Sequence, residues 1–166
     1  MPSARRLAVI SDPATSGPAG LQAIASAAGA LGVELQTVEV PSPREPPAAV
    51  ASLRAAGVEG VSVLGSPLLF SSHKELVELL LAEKLPGICE WREMAATGCL
   101  ASYGTTRRET VAMVVALIDK ILKGANPSDT PAQQPTKFEL VINLKTAKAL
   151  GLAVPPSILA RADEVI

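Results

Sequence analysis

The sequence predicts an α/β domain with a mostly parallel sheet and helices on both faces. Short apolar runs bounded by turn residues recur along the chain, and stretches with apolar residues at helical spacing lie between them. Glycines fall just after the helical stretches and prolines fall between elements, as punctuation of an alternating strand–helix chain requires. Strands joined by crossover helices place helices on both faces of a parallel sheet.

The elements follow in order. Leu7–Ile10 is a short apolar run typical of a buried parallel strand, and the loop from Ser11 to Pro18 is rich in turn residues. Leu21, Ile24, Ala25, Ala28 and Leu31 recur at helical spacing, and Gly32 closes that helix. Residues 33–40 form a second strand, broken by Pro41, Pro43, Pro46 and Pro47. A helix from about Ala48 carries Val50, Leu53 and Ala56 on one face. Residues 61–64 are a third strand, and Gly65-Ser66-Pro67 takes the chain out of the sheet.

Ser72 and Glu75 have the spacing of a capping box, opening a helix that Pro86 ends. Gly87-Ile88-Cys89 is a fourth strand and residues 100–103 a fifth. Thr106 and Glu109 form a second capping box, and the helix behind it lines up Val111, Val114, Val115, Ile118 and Leu122. Residues 138–142 are a further strand, Asn143 caps a short helix that ends at Gly151, and Pro155-Pro156-Ser157 starts another. Residues 1–123 thus read as an α/β lobe ending in a crossover helix. Residues 124–136 read as a Pro-rich connector, and residues 137–166 as a strand–helix segment that completes the lobe.

Composition narrows the function. Of 166 residues, 48% are apolar but only 2% aromatic, so the core is aliphatic and base stacking has few platforms. Fifteen basic against sixteen acidic residues leave a net charge of −1, without the basic stripe a nucleic-acid partner needs. No apolar run of ~18 residues is present, so nothing spans a membrane. Cys89 and Cys99 lack a second Cys/His pair, so no metal site is expected, and they read as two reduced thiols. No phosphate loop, dinucleotide fingerprint or nucleophile elbow occurs, so neither cofactor nor catalysis is expected. The lone histidine, His73, reads as a solvated helix-start residue.

In open parallel sheets, ligands bind outside the carboxyl ends of the strands. Ser11 and Asp12, Ser66 and Pro67, Trp91 and Arg92, and Ser102 and Tyr103 follow or end strands. They bring hydroxyls, a carboxylate, a guanidinium and the only Trp and Tyr to that edge, and they are the candidate ligand-binding residues. Each also has a plain structural role available. Asp12 suits the turn before Pro13, and Trp91 and Tyr103 could cover a sheet edge.

Residues 121–129, 134–152 and 155–166 closely resemble the end of ABC-transporter substrate-binding proteins of the tryptophan/tyrosine-uptake-like family, and Ala101-Ser102-Tyr103-Gly104 is similar to its crossover segment. The first hundred residues fit more loosely, through strand–helix order. The resemblance implies a type I periplasmic-binding-protein fold that captures a small organic solute, such as an amino acid or aromatic acid, and hands it to an ABC permease. It implies a periplasmic location. A chain without a signal peptide, if it is the whole product, would stay in the cytoplasm. Members carry a further lobe ahead of the segment that starts here at Arg6. Without it, the helix at about 107–123 exposes an apolar face, expected to pack on its own sheet or on a second copy, which makes a homodimer. Two other readings stand beside this one: a cytoplasmic flavodoxin-like nucleotide-binding domain or enzyme, and a truncated dimeric remnant with no ligand.

Overall fold

The computed structural model describes residues 4–131 and 135–166. Seven strands form one sheet: β1 (Arg6–Ser11), β2 (Glu34–Glu39), β3 (Gly60–Val63), β4 (Gly87–Cys89), β5 (Ala101–Thr105), β6 (Phe138–Ile142) and β7 (Glu164–Val165). Their order is β2-β1-β3-β4-β5-β6-β7. Every pairing is parallel except β5 with β6, which run antiparallel with Thr105 opposite Phe138 and Ala101 opposite Ile142.

The strand order reverses at β1, so the helices divide between the faces. One face carries α2 (Pro46–Ala55), α3 (Pro67–Ser71), α4 (His73–Ala82) and α5 (Arg92–Thr97). Between them and the sheet lies the aliphatic core, with Ile10, Val63, Leu53, Leu69, Leu76 and Met94 almost fully buried. The other face carries α1 (Pro18–Ala30), which buries no residue completely. Beside α1 an apolar trough of about 570 Å³ stays open, lined by Leu7, Ile24, Leu31, Leu35 and Ile88.

The helix α6 (Arg107–Leu122) leaves the carboxyl end of β5 and buries none of its residues. Val111, Val114, Val115 and Ile118 are 50–58% exposed. The apolar face expected from the sequence is therefore present, but α6 does not pack on its own sheet. After α6 comes a single 3-10 turn at Pro127–Asp129, and residues 132–134 of the connector lie outside the described residues. The chain then enters β6, followed by α7 (Leu144–Ala149) and α8 (Pro156–Leu159). Asn143 caps α7 as expected: its Oδ1 accepts from the Thr146 N–H at 2.9 Å, and its Nδ2 donates to the Ala95 carbonyl at 2.8 Å.

Three local expectations are corrected. Cys89 and Cys99 are not free thiols but a disulfide, with Cα atoms 6.5 Å apart. Periodicity could not reveal this, because α5, which returns Cys99 to Cys89, is a single short helix between two strands where no element was expected. With no free thiol in the native protein, thiol titration in denaturant is expected to count none before reduction and two after it.

The capping box at Ser72 does not form, because an additional helix precedes it. Ser66 caps that helix, α3, by accepting from the Leu69 N–H at 2.9 Å. Ser72 instead donates its hydroxyl to the Leu68 carbonyl at 3.0 Å. His73 is half-buried, not solvated: its ring stacks on Phe70 with centroids 5.0 Å apart, and its Nδ1 lies against the Phe70 carbonyl. The capping box at Thr106 forms in its first half only, with Thr106 Oγ1 accepting from the Glu109 N–H at 3.2 Å.

Candidate ligand-binding site

Two adjoining cavities open at the carboxyl ends of β3, β4 and β5. The larger, of about 420 Å³, is lined by Ser66, Pro67, Phe70, Trp91, Arg107 and Val111. The smaller, of about 190 Å³, is lined among others by Glu90, Arg92, Ser102, Gly104 and Arg107. Arg107 borders both.

Local chemistry explains how these groups are held. Ser66 is buried and its cap bond fixes the start of α3, which places Pro67 in the first turn and Phe70 in the wall. Trp91 is the extended residue before α5, and its ring meets Phe70 edge-on at 5.1 Å and 88°. The Arg107 guanidinium lies over the Phe70 ring, 4.8 Å from its centroid. The result is an aromatic wall with a cation behind it, a favourable arrangement for both partners.

In the smaller cavity Ser102 is almost fully buried. Arg92 lines it, but its guanidinium is engaged: Nε donates to Glu164 Oε2 at 2.6 Å, and the second arm bonds the other carboxylate oxygen. That fork holds the Glu164 carboxyl below the usual range. It also ties β7 to α5.

Five of the eight residues singled out by sequence thus line one cavity or the other: Ser66, Pro67 and Trp91 the first, Arg92 and Ser102 the second. Three do not. Ser11 is fully buried at the end of β1, its Oγ without a hydrogen-bond partner among the described residues. Asp12 is buried in the turn that follows, where Oδ1 accepts from the Ala14 N–H at 2.9 Å and the carbonyl accepts from Ser16 at 2.8 Å. Tyr103 projects from the face of β5 opposite to Ser102, is 58% exposed and stacks on Phe138 at 5.6 Å.

Sequence reasoning missed Phe70, Glu90 and Arg107. Glu90 follows β4 directly, as Asp12 follows β1, and that shared position at a strand's carboxyl end is its signal in the sequence. Its carboxylate rests on Gly65, where any Cβ would overlap it, and its backbone packs on Gly104. Burial raises its carboxyl above the usual range, and the Gly65 backbone donor offsets part of that rise. Phe70 lies between the third strand and the helix at Ser72, where no element was expected, and Arg107 stood only as a residue of a helix's first turn.

The family model for the ABC transporter substrate binding protein matches residues 1–166, the whole chain. The chain belongs to that family. Solved structures agree on the periplasmic-binding-protein-like fold. An ABC domain from Streptococcus pneumoniae, solved in complex with L-Trp, is 25% identical with a TM-score of 0.92, and the match covers 99% of this chain and 56% of that one. A conserved domain protein from Vibrio cholerae is 20% identical with a TM-score of 0.91, over 100% of this chain and 56% of that one. A ligand-free, open substrate-binding protein from Clostridium difficile is 21% identical with a TM-score of 0.68, over 99% and 55%.

The chain therefore spans little more than half the length of these three solved structures. No curated protein matches it. No helix among the described residues is long and apolar enough to cross a membrane.

Proposed function

We propose that this substrate-binding-family chain captures a small organic solute, an amino acid or aromatic acid, at the carboxyl edge of its sheet, and that it performs no chemistry on it. The observation that carries this reading is the cavity walled by Phe70 and Trp91 with Arg107 beside it, in a chain with almost no other aromatic residues. Ser66, Pro67 and Trp91 form one wall in this reading, Arg92 and Ser102 adjoin it, and Asp12 with Ser11 holds the first loop. Tyr103 stacks outward beside the site. The L-Trp bound to the Streptococcus pneumoniae domain supports an aromatic amino acid as the kind of solute. Delivery to an ABC permease follows from the family.

The Cys89–Cys99 disulfide supports an oxidising, extracytoplasmic compartment. The exposed face of α6 and the open trough beside α1 support self-association as a homodimer, since apolar surfaces of this kind are seldom left in water.

One sample tests both parts. A ligand at 100 times its Kd adds about 2.7 kcal/mol, which raises the Tm of a domain this size by about 5 to 10 °C. Light scattering is expected to give twice the 17.1 kDa chain mass. No shift with any aromatic amino acid or aromatic acid would sink the binding reading, and a chain-sized mass would sink the dimer.

A further inference from the structure

Two apolar surfaces of this chain stand without a partner, and they match one another. The first is the trough beside α1. Register places Leu7, Val9, Ser62 and Ile88 on one face of the sheet, and that face runs on through Ala101 to the exposed Tyr103–Phe138 stack. Of the helices, only α1 contributes to the trough's walls among the described residues. No charged residue occurs between Asp12 and Glu34, so α1 itself carries none. Among the described lining residues only Glu59 is charged, and it sits at the amino end of β3. A parallel sheet is ordinarily covered by helices on both faces, so the trough is a place for one more helix.

The second surface is α6. Val111, Val114, Val115, Ile118, Ile121 and Leu122 recur at helical spacing and are all exposed, and no charge interrupts residues 110–118. Its 16 residues make a rod about 24 Å long, enough to cross a sheet whose six-residue β1 spans about 20 Å. The root of α6 bars it from its own trough. Arg107 lies over Phe70, and Val111 lines a cavity with Ser66, so the first turn is tied to the face that carries α3. The trough is on the opposite face. Thr105 is opposite Phe138, so the chain leaves and re-enters the sheet at one point, and everything between is free to reach into another body.

We infer that the other body is a second copy: α6 of one chain lies in the α1-side trough of its partner, which returns its own α6, closing a two-fold dimer. This rests on the self-association reading above and specifies its interface. Direction supports it. Leaving the carboxyl end of β5, α6 enters a facing copy at the carboxyl edge of its sheet and runs against its strands, as a helix joining two parallel strands must. Each copy gives one helix and one trough, so the exchange covers all four surfaces. A one-sided contact would leave a helix and a trough to recruit further copies.

Light scattering on the full chain is expected to give twice 17.1 kDa. Val115→Glu combined with Ile118→Glu puts carboxylates on the stripe, at positions exposed in the single chain, and is expected to raise the dimer's Kd about a hundredfold or more. Ala28→Glu, in the trough, is expected to do the same from the other side. Ala116→Glu, on the far side of α6, is expected to leave the dimer intact. Cross-linking reads the pairing directly and needs no change of charge. Cys89 and Cys99 are bonded to each other, so an introduced cysteine is the one free thiol. A mixture of an Ile118→Cys chain with an Ala28→Cys chain, treated with a short bismaleimide, is expected to give a product containing one of each. A dimer indifferent to the stripe and trough variants, with no mixed product, overturns the exchange and leaves self-association standing through another surface. A chain carrying both Ile118→Cys and Ala28→Cys that cross-links only within itself overturns it as well, because each trough would then hold its own helix. A parent of chain-sized mass overturns both.

Discussion

Gly104→Ala is expected to lower the Tm by about 10 °C, a loss of about 3 kcal/mol for a domain of this size. A Cβ at position 104 would overlap the carbonyl oxygen of Glu90 and come within 2.7 Å of its Cγ. The obstacle is backbone, not the end of a side chain, so no rotamer change relieves it. β5 would have to part from the segment that follows β4, where the parallel pairing consists of only Ile88 with Ala101 and Cys89 with Ser102. Differential scanning calorimetry on the ligand-free variant measures the loss, and a Tm within a degree or two of the parent would contradict the packing described. Gly65→Ala gives the contrast. Its Cβ would meet the Glu90 carboxylate, which can swing aside, so stability should suffer less and the placement of the charge more.

Asn143→Ala is expected to cost about 3 kcal/mol. Asn143 is buried and works in two directions at once. It accepts from the Thr146 N–H, an orphan donor of α7, and it donates to the Ala95 carbonyl on α5. Thr146 adds a second tie by donating its hydroxyl to the Gly98 carbonyl at 3.0 Å. Alanine strands a buried N–H and removes one of the two buried side-chain ties between α7 with its cap and the end of α5. Asn143→Asp keeps the cap acceptor but sets oxygen against the Ala95 carbonyl, so it should recover only part of the loss. Urea unfolding measures both. If Asn143→Ala unfolded at the parent's midpoint, residues 137–166 would not be anchored in this way.

These two residues also illustrate what the sequence could and could not tell. Asn143 was legible as a cap, because an N-cap is a local matter of one side chain and the next turn. Its second bond, to Ala95 some fifty residues away, left no local trace. β4 and β6 were found to the residue, being apolar runs between strong breakers, whereas β7 is only Glu164–Val165 and has no periodicity to detect. The antiparallel entry of β6 was likewise invisible, since a run of apolar residues carries no direction. At the site, hydroxyls and rings at strand ends led to Ser66, Trp91 and Ser102. Tyr103 went astray because the pleat, one residue on, turns it to the other face. Glu90 and Phe70 matter through what packs on them, and packing between distant segments is what a single sequence states least.

The disulfide bears on the site in a further way. Glu90, Trp91 and Arg92 all lie inside the covalent ring that Cys89 and Cys99 close. The segment that supplies a carboxylate, an aromatic wall and the clasp to β7 is therefore denied most of the conformations an open chain would explore, whether or not the rest of the molecule is folded. Its ordering is settled by oxidation before any solute arrives, so less entropy remains to be lost on binding. An oxidising surrounding would in this way act as an assembly factor for the pocket, and a reducing one would leave the same sheet with a slacker rim.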